Sequence, residues 1–204
     1  MSATTPATSR AVRLRLQARL DLARHATDLL HNKEEALQRE RTRLGGHAVR
    51  AAQQWRDACE NASRQLLRAR ALGGSGELAR MLDWPARRAV VTTNWQAAMG
   101  VTYPGTVSST PGDPPELTQT AALVPVVDAY RAALEAGAQH AAAATALDRL
   151  ENELAVTRRR RRAIEQRLQP TLESQLHQLD LKLDERNRSA ALRTQLATRP
   201  DSRT

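Results

Sequence analysis

One long, highly charged segment near the carboxy terminus limits the folds that this sequence can adopt. From Leu147 to Leu196, apolar residues recur every three or four positions among Arg, Glu, Asp and Gln. This spacing is typical of a helix that packs along another helix and keeps its charged side in solvent. The predicted packing seam contains one additional four-residue step, a stutter, and consists of Leu147, Leu150, Leu154, Thr157, Arg161, Ile164, Leu168, Leu172, Leu176, Leu179 and Leu183.

Two local features of this helix leave alternatives open. The run Arg158 to Arg162 is compatible with a solvated helix face or a nucleic-acid patch, although Arg161 falls in the phase of the seam. Pro170 lacks a backbone donor and its ring clashes with the carbonyl of Gln166 in a regular helix. The unbroken charge pattern favours a kinked but continuous helix, whereas the alternative is a new helix that starts at Pro170 after an extended Gln169.

A second helical seam lies near the amino terminus and is the natural partner of the first. Ser9 is placed to cap this helix, Gly45 and Gly46 indicate a bend or thin spot, and the helical pattern ends at Leu72. Two such helices at the chain ends favour an antiparallel hairpin. The seam consists of Leu16, Leu20, Ala23, Thr27, Leu30, Leu37 and Leu44, with Glu34 and Arg41 in phase.

The middle of the chain shows a different pattern. A short helix is predicted over Glu77 to Leu82, and the β-branched AVVTT and VTY stretches predict a small β-hairpin around Asn94 to Gly100. Gly105 to Pro115 has the composition of a flexible loop, and Leu117 to Ala146 that of an Ala-rich helix. The expected fold is therefore all-α dominated, a long antiparallel two-helix coiled-coil hairpin with a small irregular middle that contains a short β-hairpin.

These patterns divide the chain into five predicted parts. They are a disordered tail over residues 1–8, a long helix over 9–72, a foot region over 73–116, a return helix and carboxy-terminal long helix over 117–198, and a tail over 199–204.

Amino-acid composition excludes some fold classes and leaves several classes of partner possible. Phe is absent and aromatic residues make up 2% of the chain, which argues against a large globular core. The net charge of +9 suits nucleic acid, an anionic membrane surface or an acidic protein cavity. Cys59 is the single cysteine, so no internal disulfide can form. No apolar run is long enough to span a bilayer, and we expect no direct membrane insertion.

No motif for catalysis or for cofactor binding is evident. The Gly73 to Gly76 stretch lacks the Gly-Lys-Ser/Thr ending of a phosphate loop and is interpreted as a hinge. The five histidines show no metal-ligand spacing with one another or with Cys59. We therefore expect no catalytic residue, no cofactor and no metal site.

Taken together, the two end helices resemble those of the D subunit, the central-stalk component of V-type and archaeal-type rotary ATPases. In the middle, Asn94 to Pro104 (NWQAAMGVTYP) is similar to the family's Asn-x-Met-Gly-Val-x-x-Pro segment, with two additional residues before Met99. At the amino terminus the matching residues are Arg10, Leu14, Leu16, Arg19, Leu20, Ala23, Leu29, Leu30, Lys33 and Leu37. At the carboxy terminus they are Arg161, Arg162, Ala163, Ile164, Glu165, Pro170, Leu172, Glu173, Leu183, Asp184, Glu185 and Arg186.

The resemblance implies a non-catalytic rotor subunit that transmits torque between a catalytic head and a membrane ring during ATP-linked hydrogen ion or other ion transport. Its implied partners are the catalytic and regulatory head subunits, the small F subunit of the stalk and a membrane-ring adaptor subunit, at the cytoplasmic face of the membrane. The expected head contacts are Arg10, Arg19, Arg158, Arg161, Arg162, Glu165, Asp184 and Arg186. The expected foot contacts, in a hairpin whose apolar side chains are exposed, are Trp95, Met99, Val101 and Tyr103. The alternative is a basic coiled-coil protein that binds nucleic acid or serves as a scaffold.

Overall fold

Long helices make up most of the structure, a computed structural model that describes residues 10–72, 75–82, 88–110, 112, 121 and 123–197. A two-stranded antiparallel sheet lies in the middle of the chain. In chain order the elements are α1 (Arg10–Ala71), α2 (Ser75–Leu82), β1 (Val90–Ala98), β2 (Val101–Thr110), α3 (Val124–Ala163), a π-helical turn (Ile164–Leu168) and α4 (Gln169–Ala197). The predicted fold class, dominated by helix with a small β-hairpin, is confirmed.

The chain contains two compact units, of which the first comprises Met1–Glu34 and Val156–Thr204. Within it, Arg13 forms an ion pair with Asp180, and Arg24 with Glu173, so the two helical segments run antiparallel. Leucine and alanine side chains fill the seam because they recur at the predicted three- and four-residue spacing. The buried residues are Leu20, Ala23 and Leu172, with Leu16 and Ile164 packed against them.

The second unit comprises Glu35–Ala155 and has three small cores along its paired helices. Leu37 and Leu150 are fully buried, and Arg41 reaches across to Glu151 with an N–O distance of 2.7 Å. A charged residue in the phase of the seam is therefore neutralised by the opposite helix. The cores are formed by Leu37, Leu44, Tyr103, Ala146, Leu150 and Leu154; by Ala62, Ala129 and Ala133; and by Ala69, Leu123 and Val126.

The β-hairpin turns through Met99 and Gly100, whose φ angles are 50° and 83°. Positive φ at both central residues is the geometry that matches the right-handed twist of the strands. Thr93 pairs with Val107 and Trp95 with Pro104, so Asn94 lies opposite two residues of β2 in a β-bulge. The strands are longer than predicted, and β2 extends to Thr110. The prediction of a flexible loop was therefore wrong for residues 105–110.

Other boundaries also differ from the predictions. Gly45 and Gly46 lie inside α1, which continues without a break to Ala71. Helix α2 begins at Ser75 rather than Glu77, and α3 begins at Val124 with Pro125 in its first turn, where a missing backbone donor costs little. The predicted cap at Ser9, both tails, residues 73 and 74 of the hinge, and residues 117–120 lie outside the described residues.

The π-helical turn replaces the predicted stutter. The backbone N–H of Gln169 donates to the carbonyl of Ile164, five residues earlier, and Gln169 has helical angles of φ −60° and ψ −52°. The alternative in which Gln169 is extended and a new helix starts at Pro170 is therefore wrong. The π-helical turn contains one residue more than an α-helical turn, so Gln169 lies in the seam. Its side-chain amide donates a hydrogen bond to the Thr27 hydroxyl at 3.0 Å. Leu168, predicted to lie in the seam, is 40% exposed instead.

Candidate functional site

Glu34 is the centre of a charged cluster in the first unit. Its two carboxylate oxygens accept hydrogen bonds from Nε of Arg158 at 2.7 Å and from Nε of Arg161 at 3.0 Å. Arg161 also donates to Glu165, at 2.8 Å. The Arg158 hydrogen bond, aided by Arg161 and opposed by burial, lowers the pKa of Glu34. Arg161 does occupy the seam, as its phase predicted, and its charge is satisfied by these carboxylates.

The remaining arginines of the run point into solvent. Arg159, Arg160 and Arg162 are exposed, so the run presents a basic surface next to the ion pairs that Arg158 and Arg161 form with Glu34. The arginine run therefore has two parts. Arg158 and Arg161 pair with Glu34 across the helices, whereas the other three arginines are exposed to solvent. Four further residues expected to contact the head are also exposed: Arg10, Arg19, Asp184 and Arg186.

The first unit also exposes leucines, a feature that the seam analysis missed. Leu14, Leu22 and Leu29 are 65%, 67% and 56% exposed. At 3.6 residues per turn they fall within an arc of about 80° on the side of α1 opposite its seam. Helix α4 carries a similar set, Leu181, Leu192 and Leu196. The spacing of eight and seven residues on α1, out of phase with the seam, was the signal that would have revealed them.

The hairpin residues expected to contact the foot partners separate into two pairs. Trp95 and Met99 are 54% and 55% exposed. Val101 is partly buried against the helices, and Tyr103 is buried at 3% exposure. The expectation that Val101 and Tyr103 lie open on the hairpin surface was therefore wrong, because both side chains join the core that contains Leu37 and Leu150.

Tyr103 anchors the hairpin to α1 through a partly buried polar contact. Its hydroxyl donates to Glu40 at 2.6 Å, and Arg43 donates to both oxygens of the same carboxylate. The Arg43 hydrogen bonds lower the pKa of Glu40, whereas burial and then the Glu40 carboxylate raise the pKa of Tyr103. A phenol needs such a partner when it is buried. Glu40 supplies it, which explains how the ring enters the core.

Arg149 of α3 holds the hairpin from a second direction. Its guanidinium carbon lies 5.1 Å from the centre of the Trp95 ring, within the range of a cation–π contact. The same side chain donates to the carbonyl of Thr102 at 2.9 Å. Trp95 is thus held in place while about half of it faces solvent.

Comparison with known proteins places this arrangement in a family. Within the described residues, no helix is long and apolar enough to span a membrane, and no group of three His, Cys, Asp or Glu side chains is placed to hold a metal ion. A search of curated proteins found no match. A family model for the D subunit of ATP synthase matches residues 13–199, which confirms the resemblance drawn from the two end helices and the middle segment. The chain therefore belongs to the ATP synthase D family, whose members are stalk subunits of rotary ATPases.

Proposed function

We propose that this chain is the central rotor subunit of a V-type or archaeal-type rotary ATPase and transmits torque between the catalytic head and the ion-translocating membrane ring. The observation that carries the proposal is the family match over residues 13–199. Membership implies association with other subunits of the complex. In this proposal the chain is a non-catalytic subunit, peripheral at the cytoplasmic face of the membrane, and the ATPase chemistry resides in the head.

The outward leucines support burial of the first unit inside other protein. Leu14, Leu22 and Leu29 are each more than half exposed, on the side of α1 that faces away from its own partner segment. Exposed leucines that recur on one face of a helix favour an interaction site there. We propose that this face and seven exposed charged residues meet the catalytic and regulatory head subunits, while Arg158, Arg161 and Glu165 are engaged within the first unit by the ion pairs around Glu34. The seven residues are Arg10, Arg19, Arg159, Arg160, Arg162, Asp184 and Arg186.

The hairpin supports a second contact. Met99 has a φ of 50°, a left-handed conformation that Gly or Asn adopts far more readily than Met. An exposed, conformationally costly Met at the tip of a hairpin suggests selection for contact rather than for folding. We propose that Trp95 and Met99 touch the small F subunit of the stalk or the ring adaptor, while Val101 and Tyr103 hold the hairpin in position from beneath.

The proposal is tested by purifying the tagged full-length chain from its native cells. We expect it to recover head and ring subunits in fixed stoichiometry together with ATPase activity, whereas the isolated chain hydrolyses no ATP. Recovery of nucleic acid in place of these subunits, with affinity that falls steeply as salt rises, would favour the basic coiled-coil alternative.

A variant pair separates the head contact from folding. Replacing Leu22 and Leu29 by Gln should reduce recovery of head subunits without loss of helicity, because both side chains are exposed in the chain alone. Gln17→Ala, at another exposed position of α1, serves as the matched control. Equal recovery of head subunits with both proteins would contradict the assignment of this face.

A charge-reversal pair tests the divided arginine run. Changing Arg159, Arg160 and Arg162 to Glu should impair assembly while leaving stability nearly unchanged. Arg161→Glu should instead destabilise the first unit, because it places a carboxylate beside Glu34 and Glu165. If the triple change unfolds the chain as much as Arg161→Glu does, the outward arginines are structural.

A further inference from the structure

The two edges of the β-sheet are not equivalent. On β2, the Thr102 carbonyl accepts a hydrogen bond from Arg149 at 2.9 Å, and Pro104 has no backbone N–H to offer. These two residues flank Tyr103, whose side chain is buried in the core. The outer edge of β2 is therefore contacted by Arg149 of α3 and blunted by a proline, and within the part of the chain that the structure describes β1 is the open edge.

The register identifies which backbone groups of β1 point away from β2. Ala98 pairs with Val101 across the two-residue turn, and the residues that flank such a turn form a hydrogen-bonded pair. Because pair types alternate along an antiparallel ladder, Gln96 directs its N–H toward β2, whereas Ala97 and Trp95 direct theirs away. Pro104, opposite Trp95, then falls at a position that needs no donor toward β1, which agrees with this assignment.

The composition of β1 lacks the usual protection of an open edge. Its nine residues, VVTTNWQAA, contain no charge and no proline, two of the devices that natural proteins use to prevent edge pairing. Seven of the nine are exposed, and Thr93 and Ala98 are partly buried. A long, uncharged and exposed edge strand invites aggregation unless another chain covers it.

We propose that an extended segment of another subunit of the rotary complex adds to the β1 edge as a third strand. The inference rests on the proposed function, and it names the mode of contact: backbone pairing at Trp95 and Ala97. The incoming strand is uncharged where it pairs and acidic at its flank, since the exposed Arg88 precedes β1 and Arg149 covers the Trp95 ring. A second copy of this chain fits poorly because each copy carries a net charge of +9.

A proline scan that respects the ladder tests the proposal. Ala97→Pro removes an outward N–H and retains the bonds between β1 and β2, so we expect recovery of the strand-donating subunit with the tagged full-length chain to fall about tenfold. Ala97→Val keeps the N–H and should bind normally. Gln96→Pro, which removes an inward donor, should loosen the hairpin itself. Normal recovery with Ala97→Pro overturns the proposal.

Hydrogen exchange of the wild-type chain gives a second readout that needs no variant. In the free chain the Trp95 and Ala97 amides should exchange quickly and the Gln96 amide slowly. In the purified complex all three should be protected. An intact complex in which Trp95 and Ala97 still exchange quickly overturns strand addition but leaves the stalk function standing.

Two other outcomes also overturn the proposal. If the free chain dimerises and Ala97→Pro abolishes the dimer, the occupant is a second copy. If no ATPase complex contains the chain, the stalk function and the proposed partner fail together.

Discussion

Deletion of Arg167 tests whether the π-helical turn exists to accommodate Pro170. Arg167 is exposed and lies inside the turn, so its removal lets a regular α-helix connect Ile164 to Gln169. Gln169 and Leu172 then stay in the seam without a wide turn. The ring of Pro170 now meets the carbonyl four residues earlier in a regular helix, which costs about 3 kcal/mol.

The magnitude is isolated by a double-mutant cycle with Pro170→Ala. In the full-length chain this change should alter the free energy of unfolding by about 1 kcal/mol or less, because the turn already relieves the clash and one hydrogen bond is gained. In the deletion background it should restore about 3 kcal/mol. We therefore expect a coupling energy of about 2 kcal/mol or more between the two changes.

Urea titration of the four proteins, followed by far-ultraviolet circular dichroism, measures the coupling. Additive effects would show that the register of the helices produces the turn without any contribution from Pro170. A large loss of stability in the deletion that Pro170→Ala fails to restore would show that the assignment of Gln169 to the seam is wrong.

Three further predictions follow from other parts of the structure. Gly45→Ala should stabilise the chain by about 0.5–1 kcal/mol because a methyl group there meets no atom within 4 Å. Gly137→Ala should instead destabilise it because the new Cβ lies 3.0 Å from Nε1 of Trp55. The midpoint of urea unfolding should therefore rise for the first variant and fall for the second. Met99→Asn should stabilise the hairpin by relieving the left-handed conformation while weakening partner recovery, and unchanged recovery would remove Met99 from the interface. Glu34 and Glu40 have lowered pKa values, so their contribution to stability is fully present above the ordinary carboxyl pKa of 4.5 and is lost as pH falls through their folded values. Glu34→Gln and Glu40→Gln should therefore lose less stability than wild type in acid titrations below that pH.

Helical periodicity predicted the parts of the fold that depend on local spacing. Leu20, Leu37, Leu150 and Leu172 are buried as their phase required, since a side chain every three or four residues returns to the same face of a helix. Charged residues in phase were harder to interpret from the sequence alone. Glu34 and Arg161 lie in the seam because each finds a partner of opposite charge across it.

The seam prediction failed at Leu168 because it assumed regular α-helical geometry on both sides of Pro170. A hydrophobic residue is the natural choice at a seam position, so the sequence favours Leu168 over Gln169. The π-helical turn reverses that choice by adding one residue to a single turn, and the Thr27 hydroxyl compensates the polar Gln169 side chain. The sequence signal for this turn was Pro170, which follows the four-residue step in the seam. This signal indicated where the helix departs from regular geometry but did not indicate a π-helical turn.

The hairpin shows a different limit of prediction from sequence. Side-chain type indicated strands, but the length of β2 and the burial of Tyr103 depend on partners far away in the chain, Glu40 at 2.6 Å and Arg149 beside Thr102. Without knowledge of those contacts, an aromatic residue such as Tyr103 on a two-stranded sheet is expected to be exposed and to contact a partner. The same contacts explain why the exposed anchor is Trp95 instead. Because Arg149 of α3 contacts β2 and the core holds Tyr103, β1 carries the exposed Trp95 ring and the open backbone edge of the described sheet, which is why we assign the added strand to β1.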